Sequence, residues 1–220
     1  MPDLPPFAEL AAAPDPALDE LALALAAEFH EVDAAGALAR LDALGAELVE
    51  ATATIPATPQ AQARACTELL GAVHGFAGDR ERYDDPDNSM LDLVLARRRG
   101  LPILLSVVYI EVARRAGIPL AGLNLPGHFV VGHFGATPPL VLDPFAARVL
   151  GAGAGQGRAD PARPAEIALR MLNNLVASFE RRGHLAAAIR AASMRLALPA
   201  PAPLAEALRL ELRTLRARLN

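Results

Sequence analysis

The segment that follows Pro102 constrains the fold of this chain more than any other. Residues 103–109 are almost all apolar, with Ser106 as the main exception. A helical segment that is apolar on nearly every side has to be buried, so we expect burial around most of the first two turns of this helix. Its second half, residues 111–116, is expected to emerge to solvent. Pro102 suits the first turn of such a helix, where its missing N–H costs nothing. Gly117 and then Pro119 predict where this helix stops.

Three runs typical of short strands follow the central helix, at about 119–124, 127–134 and 139–143. They predict a small antiparallel sheet. His128 opens the second run and Asp143 ends the third. A His and a carboxylate on neighbouring strands are a common arrangement of a general base and its orienting group. Each also has a structural interpretation: a hydrogen-bonded core or loop histidine, and an Asp-Pro turn that ends a strand.

The segments on both sides of this core have apolar residues at helical spacing. Helices are predicted at about 16–30, 34–51, 60–74, 164–182, 184–198 and 203–219. A polar loop at 75–88 precedes Ser89, which is spaced like the start of a capping box with Asp92. A Gly/Ala linker is predicted at 151–157.

The predicted fold class is therefore α+β, with three parts. An N-terminal helical part covers 1–56, the mixed core covers 57–150, and a tail of helical hairpins covers 164–220.

Composition excludes several classes of protein. The 220 residues carry a net charge of −4 and give no basic footprint for nucleic acid. No uncharged apolar span of 18 residues is present, so we predict no transmembrane helix. The sequence starts without the basic and apolar segments of a secretion signal. The one cysteine, Cys66, argues against a disulfide framework and favours a reducing cytoplasm.

Other residues near the predicted cleft have two interpretations each. Ser106 lies one turn after Pro102 and is either a displaced nucleophile or a serine bonded to the carbonyl one turn back. Pro102 is expected to line the cleft. Tyr109 either lines it too or simply packs in the core. Asn88 either lines it or ends the polar loop. Cys66, in mid-helix, is expected to be a buried and inert thiol.

We expect no metal and no cofactor. His133 follows His128 by five residues, an odd offset that sends the two rings to opposite faces of a strand. Asp143 alone would supply too few ligands for a structural metal.

A string of short motifs in one order carries a resemblance to a known family. The motifs are Gly75-Phe76-x-Gly78, Tyr83-Asp84-Asp85-Pro86-x-Asn88-Ser89, Arg98-Arg99-Gly100-Leu101-Pro102-Ile103, Ala113-Arg114-Arg115-x-Gly117-Ile118-Pro119, Pro126-Gly127-His128-Phe129 and Asp143-Pro144-Phe145. Over roughly 60–150 the chain resembles the SirB-type family of bacterial proteins, whose core is transglutaminase-like. The segment from Arg170-Met171-Leu172-x-Asn174-Leu175 onward resembles the tetratricopeptide-like helices that follow this core.

The resemblance implies a papain/transglutaminase-like core with a Cys nucleophile at a helix N-terminus and with His and Asp on adjoining strands. The family's Gly-x-Cys would fall on Gly100-Leu101-Pro102. It therefore carries over His128 and Asp143 as base and orienting group, and puts Pro102 where the nucleophile would stand. Proline has no nucleophilic atom, so the covalent route is lost.

The expected function is that of a non-catalytic, cytoplasmic module that binds a protein partner through its cleft, its tail or both. The alternative is a hydrolase or acyl transferase that uses Ser106, His128 and Asp143. A cofactor-binding protein that uses the cleft at His128 is a third candidate.

Overall fold

A computed structural model describes residues 4–125, 128–152 and 160–218 of the chain. The α-helices of this part are α1 (Phe7–Ala12), α2 (Leu18–Ala27), α3 (Ala34–Thr52), α4 (Pro59–Thr67), α5 (Leu91–Arg97), α6 (Pro102–Arg115), α7 (Pro164–Arg181), α8 (Leu185–Met194) and α9 (Ala202–Ala217). The strands are β1 (Ala77–Gly78), β2 (Arg99–Gly100), β3 (Leu120–Leu125), β4 (His128–His133), β5 (Leu140–Asp143) and β6 (Arg148–Ala152). The α+β class is confirmed.

Helix α6 is the centre of the fold. Its side chains from Ile103 to Tyr109 are buried, as the apolar sequence predicts. The expectation that the helix emerges to solvent from Glu111 is wrong, because burial continues to Ala113. Helix α3 packs on it, and so do strands β3 and β4. The helix begins at Pro102 and ends before Gly117, whose backbone has a φ of 69°. This left-handed conformation suits glycine and reverses the chain into β3.

The sheet is antiparallel, with the order β3-β4-β5-β6. One face carries Val131 and Leu142 into the main apolar core, and the other carries a small cluster of Leu123, Val130 and Val141. This alternation follows from the period of two along a strand. Strands β1 and β2 form a separate short parallel pair.

Some local predictions are wrong. Residues 151–152 belong to β6, so the Gly/Ala linker does not begin there; 153–157 lie outside the described residues. Ser89 forms no capping box, because Met90 occupies the N-cap position of α5 and Asp92 accepts a hydrogen bond from His30 Nε2 at 2.7 Å. The sequence also gave no expectation of α1.

The tail packs on the core. Helix α7 contacts α2, α6 and the 3₁₀ turn at Pro86–Ser89, and then α8 packs on α7 and α9 on α8. The main apolar core contains side chains from all three predicted parts of the chain. The three parts thus share one core, and the boundaries proposed between them stay a prediction. No helix of the described residues combines the length and the apolar character needed to cross a membrane.

Candidate functional site

The antiparallel register of β4 and β5 brings His128 and Asp143 together. Val131 pairs with Leu142, which puts the start of β4 beside the end of β5. His128 Nε2 lies 3.6 Å from Asp143 Oδ1. This is ion-pair distance and is longer than a hydrogen bond. The imidazole is 38% exposed and the carboxylate only 9%, so the histidine faces solvent with the aspartate behind it.

The backbone after β5 holds the carboxylate of Asp143 in place. Its Oδ1 accepts hydrogen bonds from the backbone N–H groups of Phe145 at 3.0 Å and Ala146 at 3.2 Å. Arg148 Nε lies 3.9 Å from Oδ2. Asp143 therefore ends the strand with an Asx turn and also stands beside His128. The two interpretations made from the sequence describe one geometry.

Pro102 and His128 line the same cleft, which has a volume of about 440 Å³. Leu101 is the N-cap of α6 and has no capping side-chain bond, and Pro102 occupies the first turn. The lining residues are Tyr83, Pro102, Ile103, His128, Phe129, Glu166, Leu169, Arg170, Asn173 and Asn174. Of the three residues predicted as the cleft lining, Pro102 lies there, and Asn88 and Tyr109 do not.

Ser106 is directed away from this chemistry. Its side chain is fully buried, and its hydroxyl donates a 2.7 Å hydrogen bond to the carbonyl of Pro102. Among the described residues, which include both partners, no hydrogen bond joins Ser106 to His128. A serine engaged in this way one turn back in its own helix has no base to accept its proton.

Asn88 is buried and structural. Its Nδ2 donates to the carbonyl of Arg82 at 2.7 Å, and its Oδ1 accepts from Arg97 Nη2 at 2.6 Å. Its own carbonyl accepts from the N–H of Leu101 at 3.0 Å. The side chain of Asn88 thereby ties the 79–88 loop to α5, its backbone carbonyl ties the loop to the start of α6, and its side chain does not reach the cleft wall.

Tyr109 is also fully buried and away from the cleft wall. Within the described residues its hydroxyl has no hydrogen-bond partner. Burial raises its pKa, with smaller contributions from Cys66 and Asp143. Cys66 is buried as well, and this raises the pKa of its thiol to about 12. A thiol that stays protonated and shielded at neutral pH is inert as a nucleophile.

Sequence reasoning missed the wall of the cleft that α7 supplies. Glu166, Arg170, Asn173 and Asn174 recur at spacings of three and four, on the side of α7 opposite its buried face. That spacing was readable as a polar helical stripe. What the sequence lacked was any sign that α7 returns to the start of α6.

No group of three or more His, Cys, Asp or Glu side chains in the described part of the chain is arranged to hold a metal ion. His133 Nε2 instead shares a 2.8 Å hydrogen bond with Gln62 Oε1. Burial lowers the pKa of His133.

A central helix, a small antiparallel sheet and a His-Asp pair facing that helix's N-terminus are the parts of a transglutaminase-like core. The chain belongs to the transglutaminase-like superfamily, whose family profile matches residues 35–175. The family resemblance found in the sequence is confirmed at this level.

The relatives are proteins known by a family label. A UPF0162 protein of Xylella fastidiosa is 52% identical over 71 residues, which is 32% of this chain and 25% of the relative. A UPF0162 protein of Pseudomonas aeruginosa is 40% identical over 122 residues, or 53% of this chain and 43% of the relative. The matches thus span between a quarter and less than half of these curated relatives.

A shorter match reaches beyond bacteria. The F-box only protein 21 of mouse is 43% identical over 56 residues, 26% of this chain and 9% of that protein. No solved structure gives a significant match.

Proposed function

We propose that this protein is a non-catalytic member of the superfamily, and that its cleft binds an extended segment of a protein partner. The observation that carries the proposal is Pro102, which stands in the first turn of α6 and lines the same cleft as His128. Covalent catalysis needs an oxygen, nitrogen or sulfur nucleophile there, and proline has none.

Cys66 does not replace the missing nucleophile. It is fully buried in α4, and burial raises its pKa to about 12. A free, buried thiol is also typical of a reducing compartment, which supports the cytoplasm as the proposed location.

The second candidate function is a hydrolase or acyl transferase that uses Ser106, His128 and Asp143. The 3.6 Å contact of His128 with Asp143 favours it. The hydrogen bond from the Ser106 hydroxyl to the carbonyl of Pro102 argues against it, because the proton that a base must remove is donated to that carbonyl instead.

The size and walls of the cleft support a peptide segment as the partner. A volume of about 440 Å³ is within the range of small binding pockets, and a few side chains fill such a space. Apolar walls from Ile103, Phe129 and Leu169 alternate with polar groups. Within the superfamily we propose the SirB-type group with a tetratricopeptide-like tail, which the packing of α7, α8 and α9 supports.

Selection from a random heptapeptide library tests the binding function. The wild type is expected to enrich peptides, and Asn174→Trp is expected to lose them because the indole fills the cleft. Leu204→Trp is the matched control, since Leu204 lies on α9 and is 38% exposed. Failure of the wild type to enrich any peptide, or equal enrichment by Asn174→Trp, contradicts the proposal.

A serine-directed fluorophosphonate tests the competing function. We expect no labelling of the wild type. Labelling that disappears in Ser106→Ala and in His128→Ala would overturn the proposal in favour of the hydrolase.

A further inference from the structure

We propose that the segment bound in the cleft carries a carboxylate, and that Arg170 is the group that recognises it. The inference rests on the proposed binding function and specifies its ligand. It is carried by the position of Arg170 and by the way in which its neighbours are already engaged.

The guanidinium of Arg170 lies on the cleft wall and stacks on an aromatic ring. Its Cζ is 5.6 Å from the centroid of Phe129, the residue that follows His128 in β4. A cation–π contact of this kind uses none of the N–H donors of the guanidinium, so they stay available to a ligand. Those donors match the two oxygens of a carboxylate.

The carboxylate best placed to neutralise Arg170 is bound elsewhere. Glu166 lies one turn earlier on α7, at the spacing that usually gives an ion pair. Its Oε1 instead accepts from Arg163 Nε at 3.1 Å and Nη2 at 2.9 Å, and its Oε2 accepts from the backbone N–H of Arg163 at 3.1 Å. Arg163 thereby holds Glu166 in the capping box of α7. Among the described residues no carboxylate lies within ion-pair distance of Arg170.

The amide beside Arg170 also presents a donor. Asn173 Oδ1 accepts from Arg195 Nη1 at 3.0 Å, which directs its acceptor away and leaves its N–H₂ group for a ligand. The N-terminus of α6, a helix of 14 residues, adds partial positive charge on the opposite wall.

The remaining charged groups at the cleft do not cancel this polarity. Asp143 is 9% exposed and its Oδ1 is occupied by two backbone N–H groups. His128 stands between it and the cleft, and Glu166 is neutralised by Arg163. The cleft therefore offers donors and positive charge, which fit an anionic acceptor of the size of a carboxylate.

A carboxylate can come from an Asp or Glu side chain or from the C-terminus of a partner. Two library formats separate these sources. In one, random heptapeptides are followed by a fixed linker, so that only side-chain carboxylates are present. In the other, the heptapeptide ends in a free carboxylate. If the carboxylate comes from a side chain, we expect one position of the peptides from the first format to be enriched in Asp or Glu. If the carboxylate is the C-terminus, we expect peptides to be enriched only in the second format.

The role of Arg170 is tested with the best enriched peptide, labelled with fluorescein, and with its amide twin, in which Glu is replaced by Gln, Asp by Asn or the C-terminus by an amide. Affinity is measured by fluorescence anisotropy on the full chain. On the wild type we expect the amide twin to bind about tenfold more weakly. Arg170→Gln should lose about tenfold for the acidic peptide and should no longer distinguish the twins, because the two changes remove one interaction.

Two controls separate recognition from damage to the fold. Arg170→Lys keeps the charge without the planar fork, so it should restore part of the discrimination. Arg209→Gln removes the same charge from an exposed position on α9 and should bind like the wild type.

Enrichment in both formats without a position that prefers Asp or Glu would overturn the inference, and so would Arg170→Gln with the wild-type ratio between twins. Either result would leave the binding function standing. A library without any cleft-dependent enrichment removes the proposed function, and the inference falls with it.

Discussion

At the scale of single residues, Pro102 separates this site from one that could form a covalent intermediate. It occupies the first turn of α6 and lines the same cleft as His128. The pair of His128 and Asp143 is retained, at 3.6 Å. The side chain at position 102 thus determines whether the cleft has a nucleophile at the start of α6.

Pro102→Cys is the direct test of how much of that geometry is competent. A thiol beside an imidazole and a helix N-terminus has its thiolate stabilised, so we expect a pKa below the ordinary value of about 8.5 and fast alkylation at neutral pH. The pH dependence of the rate with iodoacetamide measures it. Wild-type Cys66 provides the background, since burial raises its pKa to about 12.

The double variant Pro102→Cys/His128→Ala is the matched control for this prediction. It should return the thiol to the reactivity of an ordinary surface cysteine. If the single variant is already that unreactive, His128 and Asp143 serve binding or structure alone.

Asn88 gives the second prediction at this scale. Asn88→Ala removes a buried amide and leaves Arg97 Nη2 and the carbonyl of Arg82 without this partner, while Arg97 Nη1 keeps its bond to Asp87. Unsatisfied buried polar groups cost about 1–3 kcal/mol each, so we expect the free energy of unfolding to fall by about 2–4 kcal/mol in urea. Asn124→Ala is the control, because Asn124 is exposed on β3. Equal stability of Asn88→Ala and wild type would contradict the role assigned to the amide.

At the scale of secondary-structure elements, a buried ionic cluster joins α2, α3 and α6. Arg115 Nη2 lies 2.7 Å from Asp19 Oδ2 and Nη1 lies 2.9 Å from Glu111 Oε2, while Nε lies 2.6 Å from Asp42 Oδ1. Asp19 and Glu111 are each only 2% exposed. One guanidinium therefore bridges three helices.

The two buried carboxyls respond to pH in opposite directions. Burial alone would raise the pKa of Asp19, but the hydrogen bond and charge of Arg115 outweigh it and hold the pKa below its usual value. Burial and the negative charge of Asp19 raise the pKa of Glu111. The contribution of Asp19 to the free energy of unfolding is thus complete above about pH 4 and is lost as the pH falls through its lowered pKa. That of Glu111 is present below about pH 4 and is lost as the pH rises through its raised pKa.

We therefore expect Asp19→Asn to lower the free energy of unfolding by about 3 kcal/mol at pH 7, as when a buried pair is broken. Urea unfolding from pH 7 downward should show a gap to wild type that persists to about pH 5 and narrows below about pH 4. Asp15→Asn, at an exposed position beside α2, should match wild type within about 0.5 kcal/mol. A gap that widens in acid would contradict the lowered pKa.

Which elements the sequence predicts depends on how local their signals are. Both ends of α6 and the burial of its first two turns were predictable, because they depend on nearby residues. The burial of Glu111 to Ala113 was missed, because it depends on packing against α2 and α3. Strand β6 was missed, because Gly151 and Ala152 resemble a linker and only pairing with β5 makes them a strand. The capping box at Ser89 failed for the same reason, since Asp92 takes a partner from the end of α2.

At the scale of the whole molecule, the tail is part of the site. Sequence motifs gave His128, Asp143 and Pro102, all within the core, but the cleft exists only because α7 returns to them. The 79–88 loop is tied to the same helix: the hydroxyl of Ser178 donates to the carbonyl of Asp84, and Arg182 Nε donates to it at 3.1 Å. Such distant contacts have no signature in the local sequence, so half of the site was beyond sequence reasoning.

Truncation tests whether the tail is integral or appended. The buried face of α7 consists of Ile167, Ala168, Met171, Leu172, Leu175, Val176, Ser178 and Phe179. A fragment that ends at residue 160 exposes the core surface that these side chains cover. Burial of a large apolar side chain contributes about 1.5–3 kcal/mol, and six of these side chains are large. Their loss therefore costs as much as the margin of about 5–15 kcal/mol by which most domains are stable. We expect this fragment to lose its cooperative unfolding transition and to aggregate.

A fragment that ends at residue 200 is the matched comparison, because it keeps α7 and α8 and removes only α9, which packs on α8 and the turn after it. Leu208, Leu212 and Leu215 are the side chains of α9 that are buried. This fragment should unfold cooperatively at a lower melting temperature and should still select the same peptides, since no cleft residue lies beyond Asn174. If the fragment ending at 160 stays soluble with an unchanged melting temperature, the core folds without its tail. The cleft wall formed by α7 would then be an addition to a self-sufficient core.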